Sequence, residues 1–364
     1  MSGKTWLAAR LANASTLQSL CEAVESSPRY LWSSELLTTA WHTAATLTTS
    51  PGVRTSLQAE SSRRLLVRLL AEQRRLRPDF DARSMACMVW AWSKLRVKEK
   101  DLMDDLSERF PGQVLQFSTK DLSRLIYGLA QLRHRSGPLV PAAGDVLAQR
   151  MDESNSQTVA NVSYAFCLMK LKHRNFFTSL AEKMPDRMNE FKPQELSILV
   201  YSCALLRVRN DRLLGAVCEE ARGRLSEFSP QNISNLLYGV GLLQFLSQPF
   251  LHDTCSFSSV RMSSFSVQGI SNMTYALGLL GYQHPMFLRS ICGSLRVDEL
   301  LPQHIGNMSY ALGQMGFRRC QPHELRCRVQ QADDCMGKTD GACHVTPPMK
   351  NSTCPLRDRY TTTT

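Results

Sequence analysis

The sequence predicts an all-α fold, an α-solenoid of about eight helix-pair repeats with a 37-residue period. Three observations carry this. First, one pattern recurs along the chain. It reads FSPQNISNLLYGVGLL from Phe228, FSVQGISNMTYALGLL from Phe265, LLPQHIGNMSYALGQM from Leu300 and FKPQELSILVYSCALL from Phe191. Looser copies are SNSQTVANVSYAFCLM from Ser154, FSTKDLSRLIYGLAQL from Phe117 and FDARSMACMVWAWSKL from Phe80. Second, an aromatic occupies one register in all seven: Trp90, Tyr127, Tyr164, Tyr201, Tyr238, Tyr275 and Tyr310, spaced by 37 residues five times and then by 35. Third, no segment keeps the period-two alternation of a strand. A fixed period of this length marks stacked units that bury their apolar faces on one another.

The 364 residues would ordinarily suggest two or three domains, but the repeat reads as one array with two ends. This gives residues 1–15 as a flexible or targeting segment, 16–319 as the solenoid, and 320–364 as a disordered tail with five cysteines. The segment before Glu22 has no acid and contains Lys4 and Arg10, weakly like an organelle transit peptide. A degenerate copy starts at Trp32 (WSSELLTTAWHTAATL), with His42 in the aromatic's place, 48 residues before Trp90. Residues 61–76, SSRRLLVRLLAEQRRL, form a basic amphipathic helix whose Leu65, Leu66, Leu69 and Leu70 belong to the core.

Each repeat then reads as two helices. Ser229 before Pro230 sets an N-cap ahead of a first-turn proline, and Ser118 with Asp121 resembles a capping box. Second helices are clearest at Asp211–Leu225 and Asn175–Met184. On a wheel of about 100° per residue, Ile233, Leu236, Val240 and Leu243 lie opposite Tyr238 and face the second helices. Small residues one and three after the aromatic and four before it, such as Gly239, Gly241 and Ser234, let neighbouring first helices approach closely. Without such a reason a helical glycine costs roughly 1 kcal/mol.

The sector around the aromatic carries a polar row. Three residues before it stand Asn161, Asn235, Asn272 and Asn307, with Arg124 in another copy; seven before stand Gln157, Gln194, Gln231, Gln268 and Gln303. With Tyr127, Tyr164, Tyr201, Tyr238, Tyr275 and Tyr310 they would line a concave surface suited to single-stranded nucleic acid. Bases stack on aromatics and pair with amides. The same asparagines could instead bond to neighbouring repeats, and the tyrosines could fill gaps between them. Six before the aromatic the residue varies (Asp121, Thr158, Glu195, Asn232, Gly269, His304), as a specificity position or a solvent-exposed one would.

A second row is basic. Six and eight after the aromatic stand Arg96 and Lys98, Arg133 and Arg135, Lys170 and Lys172, Arg207 and Arg209, fading at Gln244 and Leu246. Such a stripe matches a phosphate backbone; cations there also complement a helix C-terminus. The net charge of +11 suits a polyanionic partner, or simply a basic compartment.

Other chemistries find little support. No Walker loop, dinucleotide fingerprint or HExxH occurs, so no enzyme, cofactor or metal site is expected. Cys87, Cys167, Cys203 and Cys292 sit among apolar neighbours, and no CxxC occurs, so reduced thiols are expected. No apolar run approaches the ~20 residues of a membrane span.

The pattern F-S-P-Q-x-I-S-N-L-x-Y-A-L-G-x-L resembles the helical-pair repeats of organellar RNA-binding proteins of the heptatricopeptide and octotricopeptide type. It is similar also to the helical region of FAST-kinase-like and RAP-domain proteins, over roughly Ser15 to Arg319. The resemblance implies a non-catalytic mitochondrial or plastid solenoid that binds single-stranded or ribosomal RNA in processing, stability, translation or ribosome assembly. Ribosomal or other RNA-processing proteins are further implied partners. The alternative is a protein–protein scaffold or a structural subunit of an organellar ribosome. Many relatives end in a RAP domain, a nuclease-like fold that is not recognisable after Arg319.

Overall fold

The computed structural model describes residues 3–49, 60–76, 80–134, 137–294 and 299–315. The fold is an all-α solenoid of seventeen α-helices, with short 3-10 turns and no strand among the described residues. These residues divide into two compact units after Ser154, a boundary inside the span 16–319 that the sequence reading assigns to one array. The tail 320–364 lies outside the described residues.

The first unit holds α1 (Gly3–Ala12), α2 (Leu17–Glu25), α3 (Ser34–Thr49), α4 (Glu60–Leu76), α5 (Ala82–Leu95), α6 (Lys100–Arg109), α7 (Thr119–Gln131) and α8 (Leu139–Gln149). Odd-numbered helices pack side by side, α1 on α3, α3 on α5 and α5 on α7. In the segment 1–15, expected as flexible or targeting, Gly3–Ala12 form helix α1, with Leu7 and Leu11 buried and α1 packed on both α2 and α3. Helix α4 is the expected basic amphipathic helix. Leu65 and Leu69 are in the core, while Leu66 and Leu70 are half-buried. Its Glu72 carboxylate, 2% exposed, gathers Arg75 at 2.7 Å, Arg68 at 3.3 Å and Arg29 at 3.8 Å. Three guanidiniums are what let a buried carboxylate stay inside. Trp41 of α3 meets Trp92 of α5 edge to face, with ring centroids 6.3 Å apart.

The second unit holds α9 (Ser156–Met169), α10 (Arg174–Lys183), α11 (Pro193–Leu205), α12 (Asp211–Gly223), α13 (Pro230–Leu242), α14 (Gln248–Ser259), α15 (Val267–Leu279), α16 (Pro285–Ser294) and α17 (Pro302–Gln314). The row α9, α11, α13, α15, α17 packs neighbour on neighbour, and α12, α14 and α16 form the second layer. Local chemistry starts each first helix. The Ser229 hydroxyl accepts from the Asn232 N–H at 3.2 Å, Ser266 from Gly269 at 3.1 Å and Asn155 from Thr158 at 2.8 Å. Ile233, Leu236, Val240 and Leu243 are all buried, as their wheel position requires.

The small-residue flank has a geometric reason. A Cβ on Gly241 would fall 2.5 Å from Ala276 Cβ, and one on Gly278 would fall 2.5 Å from Ala311 Cβ. The glycine three after one aromatic therefore faces the alanine one after the next. The core cysteines behave as small apolar groups, and burial pushes the Cys203 and Cys218 thiols up to about 12.

Candidate nucleic-acid interface

The aromatic register forms ladders. In the second unit Tyr201, Tyr238, Tyr275 and Tyr310 follow one another with centroid spacings of 6.3, 6.3 and 5.8 Å and planes tilted by 35°, 37° and 39°. In the first, His42 stacks on Trp90 at 5.2 Å, with the Lys94 ammonium 6.0 Å from the Trp90 ring. The rings are mostly covered. Tyr127, Tyr164 and Tyr238 are buried, Tyr238 to 3% exposure, Tyr201 and Tyr275 are half-buried, and Tyr310 at the end is 42% exposed. Burial, then the neighbouring Tyr275, pushes the Tyr238 phenol well above its ordinary range. A ring whose faces meet other rings has no open face for a base. Tyr238, with Tyr201 and Tyr275 on its two sides, is covered in this way, and Tyr127 and Tyr164 are buried.

The amide row is engaged in its best-defined stretch. The Leu301 N–H donates to Nδ1 of His304 at 3.2 Å, which leaves the proton on Nε2. That Nε2 donates to Oε1 of Gln268 at 2.8 Å, and Gln268 Nε2 donates to Oδ1 of Asn272 at 2.7 Å. Two repeats are thereby tied through side chains. Gln157 and Gln303 are exposed; Gln194, Gln231, Asn161, Asn235 and Asn307 are half-buried. Nδ2 of Asn307 is buried without a partner among the described residues. Arg124, 44% exposed, stands 3.8 Å from Asp121.

The variable position six before the aromatic is the third residue of each helix, where caps are made. Asp121 accepts from the Ser118 hydroxyl at 2.7 Å, and Glu195 accepts from the Lys192 N–H at 3.0 Å. Thr158, Glu195 and His304 are buried. At Asp121, Glu195 and His304 the side chain thus takes part in closing the helix N-terminus.

The basic row separates into two kinds of residue. Arg96, Arg133, Lys170 and Arg207 all adopt left-handed backbone, with φ of 57°, 60°, 55° and 54°; Gln244 at 52° and Gly281 at 60° continue the series. Each ends a first helix in a Schellman turn. The next N–H reaches back five residues, from Val97 to Trp92, His134 to Leu129, Leu171 to Phe166, Val208 to Cys203, Phe245 to Val240 and Tyr282 to Leu277. The four cations are exposed, and their side chains have no partner among the described residues.

The cations eight after the aromatic differ. Lys172 Nζ donates to the Arg207 carbonyl at 3.0 Å; Arg209 Nη1 donates to those of Leu243 and Gln244 at 3.3 and 3.2 Å and also pairs with Asp211. Each reaches the carbonyl end of the next first helix, where orphan acceptors and the negative dipole end lie. Lys98 is exposed, and Arg135 lies outside the described residues. The expected double stripe thus has Lys172 and Arg209 as clamps between repeats.

A third basic row escaped the sequence reading. Arg150, Arg187, Arg224 and Arg261 also recur every 37 residues. Arg150 donates to the Phe117 and Leu115 carbonyls, both at 3.1 Å, and Arg224 to the Phe191 carbonyl at 3.2 Å. The spacing alone could have found it. Arg150 and Arg224 thereby fasten the turn that precedes a first helix to the turn that follows the second.

Among the described residues no group of three or more His, Cys, Asp or Glu could hold a metal ion, and no helix is long and apolar enough to cross a membrane. A family model described as RNA-editing substrate-binding complex 6 protein matches residues 42–316. No curated protein matches the chain.

Proposed function

Because this chain belongs to the RNA-editing substrate-binding complex 6 protein family, we propose that it is a non-catalytic, RNA-binding solenoid subunit of an RNA-editing assembly in mitochondria. The match carries the reading, since it spans the repeats from the degenerate copy at His42 to α17. A net charge of +11 agrees with a polyanionic partner. The organellar class suggested by the heptatricopeptide-like pattern fits the same role. A scaffold role is supported by a different observation. The aromatic ladder is mostly covered, and a solenoid so built offers rigid helix surfaces to protein neighbours in a complex.

The test is binding of the purified full chain to single-stranded mitochondrial RNA across a salt series. A straight log–log decline with a slope of several units supports RNA binding through phosphate contacts. Absence of binding at low salt leaves the scaffold role alone.

A further inference from the structure

The left-handed turns pose a question that the fold does not answer. A backbone with φ near +55° crowds any Cβ against the carbonyl, and glycine is the residue that relieves it. Gly281 stands at this position in one repeat, so the architecture accepts glycine there. Yet four repeats place arginine or lysine in the same strained geometry. No side-chain hydrogen bond or ion pair repays the strain, since none of the four has a partner among the described residues and all are exposed, which leaves only the solvent-screened attraction of a cation to a helix C-terminus. The cations two positions later show the contrast, because Lys172 and Arg209 are engaged with helix C-terminal carbonyls. Strain retained with so little internal compensation points to an external one.

We propose that Arg96 and Arg133 in the first unit, and Lys170 and Arg207 in the second, are the phosphodiester-contacting residues of this protein. This rests on the RNA-binding reading above. The ligand chemistry is the sugar–phosphate backbone rather than the bases. The cations are exposed on turns, whereas the amides of Gln268 and Asn272 are engaged and Tyr127, Tyr164 and Tyr238 are buried. Binding through them is independent of sequence and steeply dependent on salt.

The backbone supplies an unusual control. Replacing all four residues by glycine removes the charges and relieves the strain together, so the variant is expected to keep or raise its melting temperature. Full-length wild type and the R96G/R133G/K170G/R207G variant would be titrated with two single-stranded RNA oligonucleotides of unrelated sequence. At about 0.7 per phosphate contact on a single strand, the log–log salt slope should fall by about 3, equally for both oligonucleotides. Gln244→Arg adds a cation in register and should steepen the slope by about 0.7. A folded glycine variant that binds RNA with the wild-type slope overturns the assignment while leaving RNA binding intact. Wild type that binds neither oligonucleotide overturns both. If polyglutamate displaces the RNA as well as an equally charged RNA does, these cations serve an acidic protein surface and the proposal fails.

Discussion

The ammonium of Lys172 donates to the backbone carbonyl of Arg207 at 3.0 Å, so one cation of the basic row secures the turn that presents another. Its work is mechanical, joining the loop after one first helix to the end of the next. Lys172→Met should therefore lower the thermal midpoint of the chain and leave the salt slope of RNA binding unchanged. Circular dichroism melts and the salt series read the two effects separately; a changed slope with an unchanged melt would reverse the assignment.

Gly241→Ala and Gly278→Ala should each destabilise the second unit by about 1–3 kcal/mol, the usual cost of overpacking. The new methyl meets Ala276 or Ala311 at 2.5 Å, and helix backbones must separate. Gly306→Ala in α17 is the matched control, because a Cβ there meets nothing within 4 Å. It should stabilise by up to about 1 kcal/mol through helix propensity. Urea unfolding midpoints decide, and equal effects at all three sites would refute close approach as the reason for the first two.

Tyr238→Ala should cost about 3–5 kcal/mol, as for other fully buried aromatics. Tyr238→Phe keeps the ring in the ladder and should leave RNA affinity as it is. Tyr310→Ala, at the exposed end, should cost much less stability. A large loss of RNA affinity in the phenylalanine variant, without a loss of stability, would return Tyr238 to the binding surface.

The chain should lose stability as pH falls below 6.5. Burial holds the imidazoles of His134, His284 and His304 below that ordinary value. The unfolded chain takes up protons first, so acid favours unfolding. Stability is whole above 6.5, declines as pH falls toward the lowered values of the folded protein, and is level below them. Glu190 and Glu227 are held below 4.5 by hydrogen bonds from Arg187 and Arg224, so their effect begins in more acid solution. In His304 protonation would destroy the acceptor used by the Leu301 N–H. Melting midpoints at pH 7.5 and about 5.5 test this: equal values would exclude it, and His304→Gln should narrow the difference.

The positions of the first helices were legible because a strict spacing, a repeated aromatic and small flanking residues all mark one register. The layered all-α architecture follows from those. What the residues did not display is backbone geometry. Left-handed turns are usually announced by glycine, and here only Gly281 announces one of six. The Arg150 and Arg224 contacts were missed because they lie between helices, where no apolar period guides the eye. Helix α1 is hidden by a composition that reads like a leader segment. The division after Ser154 leaves no trace, since the 37-residue interval from Tyr127 to Tyr164 runs across it unchanged. For the candidate site, types and registers were visible, but which side chains are already occupied depends on neighbours a repeat away.

The Trp41–Trp92 contact has an optical consequence. All five tryptophans, Trp6, Trp32, Trp41, Trp90 and Trp92, precede Ser154. The indole N–H groups of Trp32, Trp41 and Trp92 are buried without partners among the described residues, an apolar setting that gives short-wavelength emission. Light absorbed at the red edge of the indole band is thus absorbed by one unit only, while tyrosine is the second unit's intrinsic fluorophore. Nature has labelled one half of the molecule. Emission colour follows the melting of that half, and ellipticity follows the whole, so the unfolding of one unit can be told from that of the full chain in a single unmodified sample.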